Sequence, residues 1–216
     1  MHVELLRVTE RAEQLIARAA RVSRGRWEGE PSLEEARELI RRLIRRGHES
    51  VLEHAVATFY VDGVSRACAD QFLRHRLISA TVMSQRHTLH SKAGMVVPLS
   101  VRETSGAWQL YAEALEFARR AYGKLLEYGI PLEDARFVLP MAVETRFVVT
   151  ANFREWRHIL RVRLSPEAQW EIQDLVSRIG RELYTVAPSC FEDLVGGGDE
   201  EIRDSHGEGD KETLSS

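Results

Sequence analysis

Residues 55–62, AVATFYVD, limit the possible architectures more than any other segment. Eight residues rich in β-branched and aromatic side chains read as a strand. Helix signals hem it in on both sides. Upstream, Ser32-Leu-Glu-Glu35 is a capping box that opens a helix to Arg46, closed by Gly47. Downstream, a helix spans about Ser65 to Arg74, followed by an irregular or extended stretch over 78–99. Residues 3–8 read as a short strand and 142–151 alternate like a second long one. An amphipathic helix near 10–22 would place Ala12, Leu15, Ile16 and Ala19 on one face. The longest helix, about 106–128, ends before Gly129 with Pro131 beyond. Helices over about 152–161 and 166–185 complete the chain. A few strands separated by helices imply an α+β fold, with helices packed around a small mixed or antiparallel sheet.

With 216 residues, 44% of them hydrophobic and 29% charged, the chain suffices for one real core. No apolar stretch approaches bilayer length, and MHVELLRVTERAEQ carries no signal-peptide pattern. A cytoplasmic protein with no membrane partner is the expectation. Cys68 and Cys190 are too few for a disulfide framework and form no metal knuckle. Residues 195–216 hold seven acids against two bases, whereas the whole chain is −3, so residues 1–194 carry +2. A mildly cationic domain, 1–194, is therefore expected to precede an acidic, glycine-rich, disordered tail, 195–216. Of the 30 basic residues only Lys92, Lys124 and Lys211 are lysine; the rest are arginine. Genomic base composition, a warm habitat, or anion capture by planar guanidinium groups would each explain that bias.

Three clusters could carry chemistry. Gly47-His-Glu-Ser-Val-Leu-Glu-His54 invites a zinc reading that fails on spacing, because it matches neither His-Glu-x-x-His nor its inverse. No metal is expected there. A polar helix–strand connection is the plain alternative, and a loop offering the Ser50 hydroxyl and backbone N–H groups to an anion is another. In the second cluster, Ala67, Gln71 and Arg74 would share a helix face, and Arg74-His-Arg76 crowds positive charge at the helix end. Helix-end cations are common. They do not account for Ser79, Thr81, Ser84 and Arg86 just beyond, a donor set suited to phosphate. The third cluster joins Ala135-Arg-Phe-Val-Leu-Pro140, Asn152-Phe-Arg-Glu-Trp-Arg-His158, Arg161, Arg163 and Gln169-Trp-Glu-Ile172. There Asn152 can cap a helix and Arg154 and His158 share a face, although a solvated basic face would explain any one of these residues.

These residues resemble a known family. Arg74-His-Arg76, seven residues, then Ser84 is similar to the RHR-x7-S signature of the flavin-dependent thymidylate synthases, the thymidylate synthase complementing proteins. GHESVLEH, Gln71, ARFVLP, NFR and LRVRLSPEAQWEI flank it in the family's order, from roughly residue 20 to 194. The resemblance implies a homotetramer with active sites shared between subunits, FAD as cofactor and dUMP as substrate. Methylenetetrahydrofolate would give the carbon and NADPH would reduce the flavin. Ser50, Arg74, His75, Arg76, Val82, Asn152, Phe153, Arg154 and His158 would stand at the flavin. Gln71, Phe72, Leu73, Arg74, Val82, Met83, Ser84, Gln85, Arg86, Arg136 and Arg163 would stand at dUMP. Arg163 would also be catalytic, favouring ionisation of the uracil.

The chain departs from the family where Ser-x-Asn-Glu-x-Ser is usual and Ser79-Ala-Thr81-Val82-Met-Ser84 occurs. His87 stands in place of a tyrosine and Val51 in place of a proline. Two alternatives follow: a paralogue with other pyrimidine-nucleotide chemistry, such as hydroxymethylation, or a non-catalytic nucleotide or RNA binder. An RNA surface would interleave exposed aromatics with its arginines. Only Phe72 lies near the first basic cluster, inside the expected helix, which argues against nucleic acid.

Overall fold

The chain enters through β1 (His2–Val8) and the helical pair α1 (Ala12–Val22) and α2 (Leu33–Arg45), then a 3-10 helix at Glu49–His54. Next come β2 (Val56–Ser65), α3 (Arg66–Phe72), β3 (Ile78–Val82), α4 (Leu99–Glu103) and α5 (Ala107–Glu127). After α6 (Leu132–Ala135) and a 3-10 turn at Arg136–Val138 follow β4 (Glu144–Asn152), α7 (Phe153–Arg163), α8 (Trp170–Val186) and α9 (Pro188–Val195). This computed structural model describes residues 1–90 and 93–195. The expected acidic tail, apart from Val195, lies outside the described residues.

The four strands form one antiparallel sheet in the order β1-β2-β4-β3. It is the expected α+β architecture, antiparallel throughout among the described residues. Alternation along β2 and β4 sends Phe59, Val61, Phe147 and Val149 into the core, where α3, α7 and α8 add Phe72, Trp156, Ile172 and Leu175. Trp156 lies edge-on to Phe59 with centroids 5.2 Å apart, and its indole N–H donates to the Ala57 carbonyl at 3.2 Å. Its buried polar atom is thus satisfied, and truncation to alanine would cost roughly 3–5 kcal/mol. Gly63, at φ +72°, sits where β2 bulges between Asp62 and Val64; the left-handed backbone there disfavours a side chain.

The capping box at α2 forms as the sequence implies, with Ser32 Oγ accepting from Glu35 N–H and Glu35 accepting from Ser32 N–H. The stretch expected to be irregular or extended, 78–99, is extended at its start, where Ile78–Val82 pairs with Phe147–Ala151 as β3. Three expectations need correction. Within the 47–54 segment, Glu49–His54 forms a 3-10 helix rather than a loop. Helix α3 stops at Phe72, so Arg74 lies beyond it and does not share a helix face with Gln71. On α1, Leu15 is exposed while Glu13 is buried. Ser189 and Arg37 satisfy the Glu13 carboxylate, which turns the helix away from its simple apolar stripe.

Candidate active site

Ser65 fixes the start of α3, which leads into the basic turn. Its hydroxyl accepts from Cys68 N–H, capping α3, and donates to Glu171 at 2.5 Å, tying α3 to the start of α8. Beyond Phe72 the chain turns through Leu73, Arg74, His75 and Arg76 into β3. Register then decides position: Ile78 faces Ala151, one residue before Asn152, which caps α7 by accepting from Glu155 N–H at 2.9 Å. The basic turn and the start of α7 are therefore neighbours.

Leu77, Asn152, Arg154, Glu155, His158 and Arg161 line a cleft of about 630 Å³, closed on its far side by Glu49 and Glu53. His75 is buried behind His158, edge-on to it with centroids 5.7 Å apart. Arg163, the last residue of α7, donates from Nε to His75 Nε2 at 3.1 Å and from Nη2 to the Gln71 carbonyl at 3.2 Å. Burial, then the positive charge of Arg163, then His158 push the His75 pKa down to about 4, so it is neutral at pH 7. Burial pushes the Glu155 carboxyl up, and His158 only partly offsets that. Burial also acts on Glu49, but its bonds to Arg161 and Arg157 outweigh it and hold the carboxyl below its ordinary value.

Six residues singled out in the sequence thus converge: Gln71, His75, Asn152, Arg154, His158 and Arg163. Arg74 and Arg76 flank them, exposed and without an ion pair among the described residues. The two phenylalanines are placed differently. Phe72 and Phe153 are fully buried core side chains, the latter against Phe191 at 5.1 Å. Val82 packs against the core beside half-buried Met83, and Leu73 is half-buried.

The remaining substrate candidates form a second group beyond the far end of β3. Ser84 Oγ accepts from Arg86 N–H, and Gln85 lies half-buried between them. Arg86 and Arg136 meet at Glu133, the first through its carboxylate at 3.0 Å and the second through its carbonyl at 3.0 Å. Five residues of β3 set this group on the order of 15 Å from the basic turn within one chain.

Ser50 belongs to a third place. It lines a cleft of about 570 Å³ between α1 and α2, together with Arg21, Ser23, Arg24, Arg26, Arg42 and His48. Sequence reasoning missed these arginines, although the run Arg21-Val-Ser-Arg24-Gly-Arg26 is a visible signal. It also treated Arg157 as part of a possible solvated face. Arg157 is fully buried instead, bonded to Glu49, Asp193 and the Cys190 carbonyl.

The fold and its clefts define an α+β protein whose clefts are lined by arginines, histidines and hydroxyls, with no glycine-rich phosphate loop among the described residues. The sequence matches the family described as thymidylate synthase complementing protein over residues 4–189. The chain belongs to that family and is an enzyme. It is 38% identical over 200 residues to a protein of Geobacter sulfurreducens, covering 89% of this chain and 86% of the relative. A Pyrococcus furiosus protein is 34% identical over 192 residues, covering 85% and 79%. One from Sulfurisphaera tokodaii is 37% identical over 198 residues, covering 88% and 76%. All three relatives bear the name flavin-dependent thymidylate synthase.

Proposed function

We propose that this enzyme is a flavin-dependent thymidylate synthase that converts dUMP to dTMP. Methylenetetrahydrofolate donates the one-carbon unit and leaves as tetrahydrofolate, while NADPH is oxidised to NADP⁺. The names of the relatives support this reading. The observation that carries it is a cleft lined by Asn152, Arg154 and His158, with His158 meeting His75, which Arg163 in turn bonds together with the Gln71 carbonyl.

The donor set fits FAD. Arg74 and Arg76 present guanidinium groups that have no ion pair among the described residues and suit a pyrophosphate, and Ser50, Asn152, Arg154 and His158 offer further polar contacts. When bound, the flavin supplies the hydride that completes the methyl group. The chain's own residues bind and polarise. Arg163 has Nε and Nη2 committed to His75 and Gln71, and among the described residues Nη1 has no partner. A guanidinium fixed in this way stabilises negative charge developing on a uracil ring without moving a proton itself. Arg86, Arg136 and Ser84 suit the dUMP phosphate.

No thiol nucleophile takes part. Cys68 and Cys190 are both buried, and burial pushes both thiols well up, Cys190 to about 12. The sharing of sites between subunits of a homotetramer is supported by the distance between the two groups of candidate residues. The outward-facing Arg74 and Arg76 support it too, as do the exposed apolar side chains of Leu110, Phe117 and Phe137. Among the described residues no helix is long and apolar enough to cross a membrane. A cytoplasmic site of action is part of the proposal.

The visible spectrum of the purified protein tests the flavin, and tritium release from dUMP labelled at C5 tests the reaction. A colourless protein that binds no FAD in calorimetry would overturn the reading.

A further inference from the structure

Glu155 has no role in the reading above, yet its carboxylate is nine-tenths buried and lies on the floor of the cleft. Its Oε1 is 3.9 Å from Nδ1 of His75, and both side chains are nearly closed to solvent, at 7% and 6% exposure. Among the described residues its carboxylate forms no hydrogen bond. A buried carboxylate without a hydrogen bond is expensive, so its presence calls for a function.

The chemistry of His75 supplies one. A neutral imidazole carries its proton on one nitrogen and a lone pair on the other. Nε2 receives the Nε–H of Arg163 at 3.1 Å, so Nε2 must hold the lone pair and Nδ1 must carry the proton. Nδ1 then carries its proton 3.9 Å from Glu155 Oε1, beyond hydrogen-bond length but within reach of the carboxylate's charge. A carboxylate facing Nδ1 favours that tautomer, and the opposite tautomer would set an N–H of His75 against the N–H of Arg163.

The same three side chains could be taken for a metal site. His75, Glu155 and His158 place one ligand atom each within 4.8 Å of the others. Ligation through Nδ1 would need its lone pair, which would put the proton on Nε2, against Arg163. His75 can serve the arginine or a metal, and the observed hydrogen bond selects the arginine.

We propose that Glu155 is a positioning residue: it sets the tautomer of His75, which fixes the guanidinium plane of Arg163. The relay runs from a carboxylate on the first turn of α7, through a histidine after α3, back to the last residue of α7. Two of the guanidinium's three nitrogens are thereby held, and the third has no partner among the described residues. The activity arm of its test rests on the thymidylate synthase reading; the spectroscopic arm does not.

Glu155→Leu removes the polar group facing Nδ1, and Glu155→Gln keeps a polar amide there, whose oxygen can still face the N–H. Neither buries a new unpaired charge, so both should fold. In ¹⁵N-histidine-labelled protein, with His75 assigned by the loss of its signals in His75→Gln, the wild type should show the Nδ1–H form. Glu155→Gln should keep that form and Glu155→Leu should mix the two. In turnover, Glu155→Leu should lower kcat by about tenfold or more with FAD affinity unchanged, while Glu155→Gln stays within roughly threefold of wild type. A wild-type His75 protonated at Nε2 would overturn the proposal, as would a Glu155→Leu protein with unaltered tautomer and kcat. Tight, His75-dependent Zn²⁺ binding in calorimetry would overturn it in favour of the metal. If the wild type fails to turn over dUMP, the function falls and the tautomer measurement still decides the relay.

Discussion

Arg157 and Asp193 meet through two parallel N–H···O bonds of 2.6 Å, joining the middle of α7 to the last turn of α9. The same guanidinium reaches Glu49 of the 3-10 helix and the Cys190 carbonyl. Four separate acceptors therefore surround one fully buried cation. Arg157→Ala would leave Asp193 without its two-bond partner and Glu49 with Arg161 alone, and would empty a fully buried site, so a loss of about 3–5 kcal/mol is expected. Thermal melts should show a fall in Tm on the order of 10 °C. Asp193→Asn should cost clearly less, because the other partners remain.

Arg163→Lys should retain FAD and lose most turnover. An ammonium is a point charge, and it cannot reach His75 Nε2 and the Gln71 carbonyl while presenting a third planar donor. If Arg163 were only a helix-end cation, the lysine would serve equally well. Flavin absorbance titration and tritium release, measured on the same preparation, separate the two outcomes.

His75 should govern part of the acid sensitivity. Its pKa falls from 6.5 in the unfolded chain to about 4 in the fold, so the unfolded state binds the proton first. Stability from this group is complete above pH 6.5 and declines as pH falls toward 4, by up to roughly 3 kcal/mol. Glu155 acts in the opposite direction: its carboxyl is raised by burial, so its contribution is lost as pH rises and the group ionises. Melting His75→Gln and wild type from pH 4 to 8 should show the acid limb flattened in the variant.

Replacing both Cys68 and Cys190 by alanine should leave flavin binding and turnover largely intact. Both thiols are buried and protonated at working pH. A well-folded double variant that has lost all tritium release would show that a thiolate is used after all.

Leu110 and Phe117 lie seven residues apart on one face of α5, 70% and 68% exposed. Glutamate at both positions should break the assembly, and sedimentation should then register a smaller species than the wild type. An unchanged mass would remove this face from the interface.

Much of the fold could be read from the sequence because its signals are local. The Ser32–Glu35 box and the Asn152 cap each act across three residues, and β2 is marked by its own composition. Strand β3 is different. It lies at the sheet edge, shows solvent hydroxyl-bearing Ser79 and Thr81, and exists because Phe147–Ala151 pairs with it from the far side of the chain. The site divides in the same way. Arginines and histidines could be named as ligand-binding from their clustering, but His75 and Arg163 are 88 residues apart, and no spacing rule contains their bond. Glu155 and Arg157 looked like ordinary polar residues of a helix, since burial is a property of what packs against them.

Helix α7 is also a ruler. Asn152 ends β4 and caps the helix in the same residue, and Arg163 closes its eleventh position. The interval between these two ends is thus about 16 Å of rigid rod with no slack at its origin. One residue added inside it would swing Arg163 by about 100° around the axis and advance it by about 1.5 Å. Such an insertion would carry the guanidinium away from both His75 and Gln71, although every side chain needed for the chemistry would still be encoded. Length variation along this chain is therefore confined by function to segments outside these eleven residues.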